Sequence, residues 1–305
     1  MPLGGGTDLL VLIGEELARP TVLVDLRDVP GSRGIAELPD GGLRIGASTR
    51  VNDVALDALV ARRFPALSQA CHAVGTPALR HMGTIGGNLC QRPRCWYFRR
   101  AIPCLKNGGD SCPAKDGQNQ YHAILDAGPC YIVHPSDPAV ALTALGATLE
   151  LARQGATGST LVTRMVDIES FYVSPRDRLD QETVLEAGEF VHAIVLPGAS
   201  ALASRGAQRY TKLMQRESWD FALASIAAVR REDGDVRLVL GGVAPRPWRV
   251  NKSVEEDVAS GGLDEDTIAT LAERALYDAN PLAKNGYKVE LAATLLRRAI
   301  TEIAT

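Results

Sequence analysis

Four of the six cysteines lie in one irregular segment, and thiolates are ligands for zinc, copper and iron-sulfur clusters. Cys95, Cys104, Cys112 and Cys130 are separated by eight, seven and seventeen residues. These gaps are too wide for the paired C-x-x-C knuckles of a zinc ribbon. Four thiolates on a wrapped loop match the ligand count of a cubane iron-sulfur cluster and of a four-cysteine zinc site, and the spacing does not separate the two.

The other two cysteines are not assigned as ligands. Cys71 lies on the apolar face of a predicted helix, where a free thiol behaves as a small hydrophobe. Cys90 directly follows a glycine-rich turn, and its role stays open.

Two glycine-rich stretches could bind a phosphate group. The first is "GGGTDLL" at 4–10, in which a Thr-Asp pair suited to capping a helix follows three glycines. The second is "GTIGGNLC" at 83–90, where Thr84 and Asn88 add side-chain hydrogen-bonding groups. Glycine turns let backbone N–H groups approach a phosphate closely. Neither stretch matches the G-x-G-x-x-G nicotinamide fingerprint, and tight turns at the ends of buried strands would explain the same composition.

A single carboxylate stands out in "HPSDPAVAL". Asp137 precedes a predicted helix that begins near Pro138, and it could accept a hydrogen bond from a ribose hydroxyl. Ser136 or Asp137 acting as a helix cap explains the pattern equally well.

The elements that must position these residues form an α+β pattern. Strands are predicted at 21–28 and 42–49, followed by helices in "VNDVALDALVARR" and "PALSQACHAVG". The stretch 91–130 has no sustained period and is far longer than an ordinary connection, which is typical of functional loops. A helix and strand in "PAVALTALGATLELA" and a strand in "EFVHAIVLPG" follow, then a linker, "GASALASRGA". From 207 onward we predict a strand, a helix, a strand pair and a helical tail.

Composition excludes several classes of protein. The chain has 305 residues, 46% hydrophobic and 23% charged, and a formal charge of -3. It has no basic footprint for nucleic acid, and no apolar run of the ~20 residues that a membrane helix requires. Six cysteines are too few for a disulfide scaffold, and no signal peptide is visible, so the sequence indicates a cytoplasmic protein, or a periplasmic one if exported with a partner.

The motifs together resemble a known family. "GGGTDLLV", "GTIGGNLCQRPRCWYFRR", "CLKNGGDSCPA", "QNQYHAIL", "GPCYIVHPSDPAVALTALGA" and "YTKLMQRESWDFALASIAAV" look like the FAD-binding middle subunit of the molybdenum hydroxylases. That family includes xanthine dehydrogenase, carbon monoxide dehydrogenase, aldehyde oxidoreductase and 4-hydroxybenzoyl-CoA reductase. The cysteine-bearing insertion resembles the branch whose flavin subunit, in aldehyde oxidoreductase and 4-hydroxybenzoyl-CoA reductase, carries an additional [4Fe-4S] cluster.

The resemblance implies a fold and its division into domains. A two-lobed FAD-binding domain of the vanillyl-alcohol oxidase (PCMH) type would span 1–200, with a first lobe at 1–50. The second lobe, 51–200, would hold the iron-sulfur loop at about 91–130. A C-terminal α+β domain with a small antiparallel sheet and helices would span 205–305. Family members begin with a strand and a helix ahead of the glycine loop, whereas this sequence starts directly on it, so the first lobe is expected to be truncated.

The resemblance also assigns residues to cofactors. It places the FAD pyrophosphate against two loops, formed by Gly4, Gly5, Gly6, Thr7, Asp8 and Leu9 and by Thr84, Gly86, Gly87 and Asn88. Asp137 matches an acidic residue that contacts the polar chain of FAD, and Lys212 matches a lysine near the flavin ring, where its charge would favour reduction. The [4Fe-4S] ligands would be Cys95, Cys104, Cys112 and Cys130.

The function implied is electron transfer within a larger enzyme. The chain would work with a large subunit that holds the molybdenum cofactor and a small subunit that holds [2Fe-2S] clusters, passing electrons to ferredoxin or another acceptor. Substrate chemistry would take place on the molybdenum subunit, so no catalytic residue is assigned here. Two alternatives stay open: a stand-alone FAD-dependent reductase with a zinc-stapled loop, and an assembly subunit that has lost its cofactor.

Overall fold

A computed structural model describes residues 1–155, 158, 160–198, 207–217, 219–231 and 233–304. Within these residues, the strands are β1 (Pro2–Leu3), β2 (Val24–Asp25), β3 (Ile35–Glu37), β4 (Leu43–Gly46), β5 (Thr148–Gln154), β6 (Leu161–Asp167), β7 (Phe190–Leu196), β8 (Gln208–Leu213), β9 (Ala224–Arg230), β10 (Val236–Gly241) and β11 (Trp248–Arg249). The helices are α1 (Leu9–Gly14), α2 (Val51–Leu56), α3 (Ala58–Arg63), α4 (Pro65–His72), α5 (Pro77–Met82), α6 (Ile85–Leu89), α7 (Trp96–Arg99), α8 (Asp137–Leu145), α9 (Ile168–Phe171), α10 (Lys252–Ser260), α11 (Glu265–Ala275) and α12 (Tyr287–Ala304). None of these helices combines the length and the apolar character that a membrane crossing requires.

The N-terminal part is built on an antiparallel sheet of five strands, in the order β3-β4-β7-β5-β6. Ile45, Ile194 and Leu149 are aligned across its three central strands and are fully buried. The same core includes apolar residues of α2, α3, α4 and α8. Strands β1 and β2 form a separate parallel pair beside the first glycine loop.

The C-terminal part is an antiparallel sheet of four strands, in the order β11-β10-β9-β8, covered by α10, α11 and α12. Successive residues of β9 enter different cores: Ile226 and Ala228 pack with the C-terminal helices, whereas Ala227 and Val229 belong to the N-terminal core. This sheet is therefore buried on both faces and forms the layer that joins the two halves of the described chain.

The α+β class and the C-terminal antiparallel sheet with helices are confirmed, but two local predictions are wrong. The strand predicted at 21–28 is limited to Val24–Asp25. The helix predicted after β8 is absent from the described residues, and "ASIAAVR" forms β9. A strand buried on both faces loses the alternation that identifies strands in a sequence. Most of the linker predicted at 198–207 lies outside the described residues.

The segment 91–130 contains a single helical turn, α7, and its second half is held by the C-terminal part of the chain. Ile124 and Leu125 belong to the C-terminal core. Asn285 donates from Nδ2 to the carbonyl oxygens of His122 and Ala123, at 3.1 and 3.2 Å. Lys288, fully buried, donates from Nζ to the carbonyl oxygens of Tyr121 and Gly242 at 3.0 and 2.8 Å. We call this set of contacts, from Asn285 and Lys288 to residues 121–123, the clasp.

Asn285→Ala should test the strength of the clasp. The substitution leaves two buried carbonyl oxygens without a donor, and it removes the acceptor that Asn285 Oδ1 provides for the Leu282 N–H at 2.6 Å. Because each unsatisfied buried group costs about 1–3 kcal/mol, we expect the free energy of unfolding to fall by about 2–4 kcal/mol in urea titrations. Asn280→Ala is the matched control, since only the backbone of Asn280 bonds to the segment, through the Ile124 carbonyl. Equal losses in the two variants would contradict a specific role for the clasp.

Candidate functional site

The first glycine loop packs directly against the second. A Cβ on Gly5 would collide with the carbonyl oxygen of Met82, and a Cβ on Gly4 would lie 2.6 Å from Oγ1 of Thr84. Gly6 adopts a left-handed conformation with φ of 74°. Close packing and backbone geometry therefore require these three glycines. Within the described residues, the backbone N–H groups of 4–9 make no hydrogen bond, so this loop keeps free donors.

The second glycine loop is internally satisfied instead. The N–H groups of Ile85 and Gly86 donate to carbonyl oxygens of the connection between β4 and α2, and that of Gly87 donates to Oγ1 of Thr84. A Cβ on Gly86 would lie 2.6 Å from that of Ala47. Asn88 accepts from the Ser136 hydroxyl at 2.6 Å. The loop thus braces the first loop and connects it to the start of α8.

Asp8 does not cap α1, contrary to the prediction from the Thr-Asp pair. Its carboxylate instead accepts from the backbone N–H of Arg92 at 2.9 Å and from the guanidinium groups of Arg94 and Arg99 at 2.9 and 2.8 Å. The competing charges of two arginines hold the carboxylate more strongly than helix N–H groups would. Asp8 therefore fixes the start of the cysteine-bearing segment against the first glycine loop and keeps two cations beside it.

Asp137 and Lys212 form a buried ion pair between α8 and the C-terminal sheet. Nζ of Lys212 lies 2.8 Å from Oδ2 of Asp137, and the Tyr210 hydroxyl donates to Oδ1 at 2.6 Å. Burial raises the pKa of Asp137, while Lys212 and Tyr210 oppose that rise. Ser136, not Asp137, is the helix cap, since its hydroxyl accepts from the Ala139 N–H at 3.1 Å. The side chain of Lys212 is only 3% exposed, so it is not a surface lysine.

A cavity of about 290 Å³ lies where the two halves of the chain meet. Its walls come from 94–96, 121–122, 132–137 and residues between 215 and 225, with Asp137 at one side. We call it the cofactor cavity. Lys212 is not among the described residues that line it and lies behind Asp137, so it would act on a ligand through that carboxylate. Arg94 lines the cavity and forms an ion pair with Asp8, so it connects the first glycine loop to the cavity.

Several buried polar atoms on the walls of the cofactor cavity have no partner within the described residues. They are Nε of Arg94, Nδ1 of His122, Nε2 of His134 and Oγ of Ser225. Burial lowers the pKa of His122 to about 4 and that of His134 to about 3, so both imidazoles are neutral near pH 7. Unpaired buried polar atoms cost free energy unless a ligand or water satisfies them. A ligand with both donor and acceptor groups would fit this cavity.

The four cysteines of the irregular segment converge on a second, smaller cavity. Cys95, Cys104, Cys112 and Cys130 all line it, together with the buried ammonium group of Lys106, and we call it the thiol cavity. Its volume is about 10 Å³, enough for one water molecule. No three His, Cys, Asp or Glu side chains in the described parts of the chain are arranged to hold a metal ion. A cluster would therefore require the four cysteine side chains to rearrange around a larger space.

Hydrogen bonds around the thiol cavity favour the thiolate form of one of its cysteines, Cys112. Cys112 and Cys130 share a hydrogen bond, which lowers the pKa of Cys112 to about 6 and raises that of Cys130. Backbone N–H groups also donate to sulfur, from Tyr97 and Phe98 to Cys95, from Ala114, Lys115 and Tyr131 to Cys112, and from Ile132 to Cys130. Burial opposes this effect at Cys95, whose pKa rises to about 11. Donors aimed at sulfur are the groups that stabilise metal-bound thiolates.

Cys71 and Cys90 lie apart from the thiol cavity. Both belong to or pack against the N-terminal core, and burial raises their pKa, that of Cys90 to about 12. The prediction that Cys71 is a buried free thiol agrees with its position in α4. Sequence reasoning missed Arg94, His122 and His134 on the walls of the cofactor cavity. The one signal for His134 was its position three residues before Asp137.

Comparison with known proteins gives a consistent picture along the chain. Residues 1–199 match the model of the FAD binding domain in molybdopterin dehydrogenase, and residues 209–303 match the CO dehydrogenase flavoprotein C-terminal domain. The chain is 36% identical over 309 residues to the aldehyde oxidoreductase FAD-binding subunit PaoB of Escherichia coli strain K12, covering 98% of this chain and 90% of that protein. It is 27% identical to the glyceraldehyde dehydrogenase medium chain of Sulfolobus acidocaldarius, over 99% and 90% of the two chains.

A solved structure has the same fold. The carbon monoxide dehydrogenase from Hydrogenophaga pseudoflava superposes with a TM-score of 0.72, at 24% identity, over 99% of this chain and 88% of that chain. The fold similarity thus extends over both sheets and over the cavity between them.

Lys212→Met should reveal the strength of the buried ion pair. Loss of the ammonium leaves the Asp137 carboxylate buried with only the Tyr210 hydroxyl, which should lower the free energy of unfolding by about 3–5 kcal/mol. The double variant with Asp137→Asn should be more stable than Lys212→Met alone, because the uncompensated charge is gone. Arg178→Met, which removes an exposed ion pair with Asp180, is the control and should change stability little. If the double variant lost as much stability as the two single variants together, direct coupling between Lys212 and Asp137 would be contradicted.

The pH dependence of stability should report the buried His134. Its pKa in the folded chain is lowered from 6.5 to about 3, so protonation favours the unfolded state. The stability provided by the neutral ring is fully present above pH 6.5 and is lost as the pH falls from 6.5 toward 3. In urea titrations of the cofactor-free protein, His134→Gln should reduce this slope by up to about 1.4 kcal/mol per pH unit. His81→Gln, at an exposed position, should keep the wild-type slope, and an unchanged slope in His134→Gln would refute the assignment.

Proposed function

Because the chain belongs to the FAD-binding medium subunits of the molybdenum hydroxylase family, an oxidoreductase family, we propose that it transfers electrons through FAD and a [4Fe-4S] cluster. The single observation that carries the finer part of this proposal is the convergence of Cys95, Cys104, Cys112 and Cys130 on one cavity beside the cofactor cavity. The FAD supplies the ability to exchange two electrons at one partner and single electrons at another.

The first glycine loop and the cofactor cavity would bind different parts of FAD. The free N–H groups of residues 4–9 and the guanidinium groups of Arg94 and Arg99 suit the pyrophosphate. The cavity beyond Arg94, at about 290 Å³, has room for one ring system rather than for the whole molecule. The proposed contacts are those of Gly4, Gly5, Gly6, Thr7, Asp8, Leu9, Thr84, Gly86, Gly87, Asn88 and Asp137.

Three assigned residues, Gly86, Gly87 and Lys212, would act indirectly. Gly86 and Gly87 use their N–H groups within the protein, so they would support the first loop rather than bind phosphate. Lys212 would hold the Asp137 carboxylate ionised at the cavity wall, because a buried carboxylate without a cation would take up a proton. Its influence on a bound flavin would therefore be electrostatic and weaker than that of a direct contact.

The donor set around the thiol cavity supports a cluster. Four cysteines provide one sulfur for each iron of a cubane, and the backbone N–H groups directed at Cys95, Cys112 and Cys130 would stabilise its charge. Lys106 would add a cation beside Cys130. The resemblance of this segment to the branch with an additional cluster points the same way.

The chain would act within a three-part enzyme. The relatives are named as an FAD-binding subunit and as medium chains. The word medium supports one larger and one smaller partner subunit. We propose a large subunit that holds the molybdenum cofactor, a small subunit that holds [2Fe-2S] clusters, and ferredoxin or a similar external acceptor. Substrate chemistry would take place on the large subunit, so no catalytic residue is assigned to this chain.

An absorption spectrum of the anaerobically purified protein, with iron and zinc analysis, tests the proposal. Flavin bands with a broad brown shoulder that bleaches on reduction with dithionite are expected. Flavin with stoichiometric zinc and no iron would show that the cysteines hold zinc and that no cluster is present, as in the alternative of a zinc-stapled loop. A colourless protein would overturn both cofactor assignments and favour an assembly role.

Cys104→Ser should remove about four irons per chain while leaving FAD bound, since the cluster would lose a ligand and the glycine loops are untouched. Iron is measured against protein, and flavin by its release on denaturation. Cys71→Ser is the matched control, because Cys71 is also buried but lies in α4, and this variant should keep its iron. Iron retained in both variants would show that the ligand assignment is wrong.

A further inference from the structure

The two cavities share a wall. Cys95, His122 and Ile132 line both the cofactor cavity and the thiol cavity. Of the four converging cysteines, Cys95 is the one that also borders the cofactor cavity. Ile132 offers only apolar contacts, so the polar connection between the cavities consists of Cys95 and His122.

The imidazole of His122 has a defined orientation in this wall. Its Nε2 lies 3.3 Å from Sγ of Cys95. Its ring meets Trp96 edge-on with the centroids 5.7 Å apart, and it packs against Tyr97 at 6.1 Å. The backbone is fixed from both sides, because the His122 N–H donates to the Asn119 carbonyl at 3.0 Å and the His122 carbonyl accepts from Asn285 in the clasp. Rotation of the ring would break contacts on every side.

This orientation determines what each ring nitrogen can do. A cysteine sulfur that ligates a cluster carries no proton and can only accept a hydrogen bond, so a neutral imidazole beside a ligating Cys95 would carry its proton on Nε2. Nδ1 then carries a lone pair. It is buried without a partner among the described residues, on a side chain that forms part of the cofactor cavity wall.

We propose that His122 is a positioning residue that couples the two cofactors, donating from Nε2 to the thiolate of Cys95 and accepting at Nδ1 from an N–H or O–H group of the ligand in the cofactor cavity. The inference rests on the proposed function, and it adds that Cys95 is the corner of the cluster nearest to the flavin site. A ligand in the cofactor cavity should then shift the reduction potential of the cluster. A hydrogen bond to sulfur changes that potential, and polarisation passes through the imidazole ring. Such coupling is reciprocal by linkage.

The first measurement is the midpoint potential of the iron site in FAD-free protein, by titration monitored with electron paramagnetic resonance. Loss of a donor to a cluster sulfur destabilises the more negative, reduced state. We expect His122→Phe to lower the midpoint potential by about 59 mV, which corresponds to a tenfold change for one electron. His134→Phe is the matched control, since His134 lines only the cofactor cavity and should leave this potential unchanged.

The second measurement compares the same potential with and without FAD. In the wild type, FAD should shift it, and in His122→Phe that shift should be reduced at least threefold. His122→Gln keeps an N–H donor and should hold the FAD-free potential near the wild-type value. If His122 had only a structural role, its substitution would change the free energy of unfolding but not the potential of the iron site, with or without FAD.

The outcomes separate this inference from the proposed function. A wild-type protein without iron refutes the cluster and the inference with it, before any potential is measured. A wild type with iron but an unchanged potential in His122→Phe, or a FAD-dependent shift that persists in that variant, overturns the inference alone. If His122→Phe loses its iron, the potentials of the wild type and of His122→Gln are compared instead. The inference then fails if FAD does not shift the wild-type potential.

Discussion

The clasp between the start of α12 and residues 121–123 is the interaction on which both cavities depend. The segment 91–130 has almost no secondary structure of its own, so its backbone polar groups need partners elsewhere. Asn285 and Lys288 provide them from within the C-terminal core. Tyr121 and His122, which the clasp fixes, form one wall of the cofactor cavity, and His122 also borders the thiol cavity. An irregular loop thereby becomes a rigid wall.

Using a buried lysine for this purpose has an electrostatic consequence. Burial lowers the pKa of Lys288 to about 7, since its two carbonyl partners carry no net charge. Lys212, by contrast, is paired with the Asp137 carboxylate. The described chain thus contains one buried lysine that a carboxylate neutralises and one that carbonyl oxygens alone hold.

Part of this arrangement can be predicted from the sequence. The α+β class, the irregular cysteine segment and the close packing of both glycine loops follow from composition and local pattern. Glycine spacing reports a tight turn because only glycine fits against Met82 and Ala47. Such signals are local, so a single sequence contains them.

The remaining features depend on contacts between distant residues. Asp137 reaches Lys212 across 75 positions, and Asp8 reaches Arg99 across 91. A lone histidine such as His122 has no neighbouring pattern that would reveal a thiol 27 positions away. Strand β9 was misread because both of its faces are buried, which removes the alternation that distinguishes strands from helices. Tertiary packing decides these cases, and local propensity does not.

The attachments of the cysteine segment also explain how a long irregular segment can be ordered beside a cofactor site. An irregular loop that folded independently would add mobile surface next to the flavin and admit water. Here Asp8 fixes its beginning through Arg92, Arg94 and Arg99, and the C-terminal core fixes its second half through Ile124 and Leu125. Asp8 lies in the part of the chain that matches the FAD-binding domain, and the helices of the C-terminal core lie in the part that matches the C-terminal domain. The cysteine segment therefore gains its order from the flavin fold, and the two proposed cofactors are brought together as a result of that dependence.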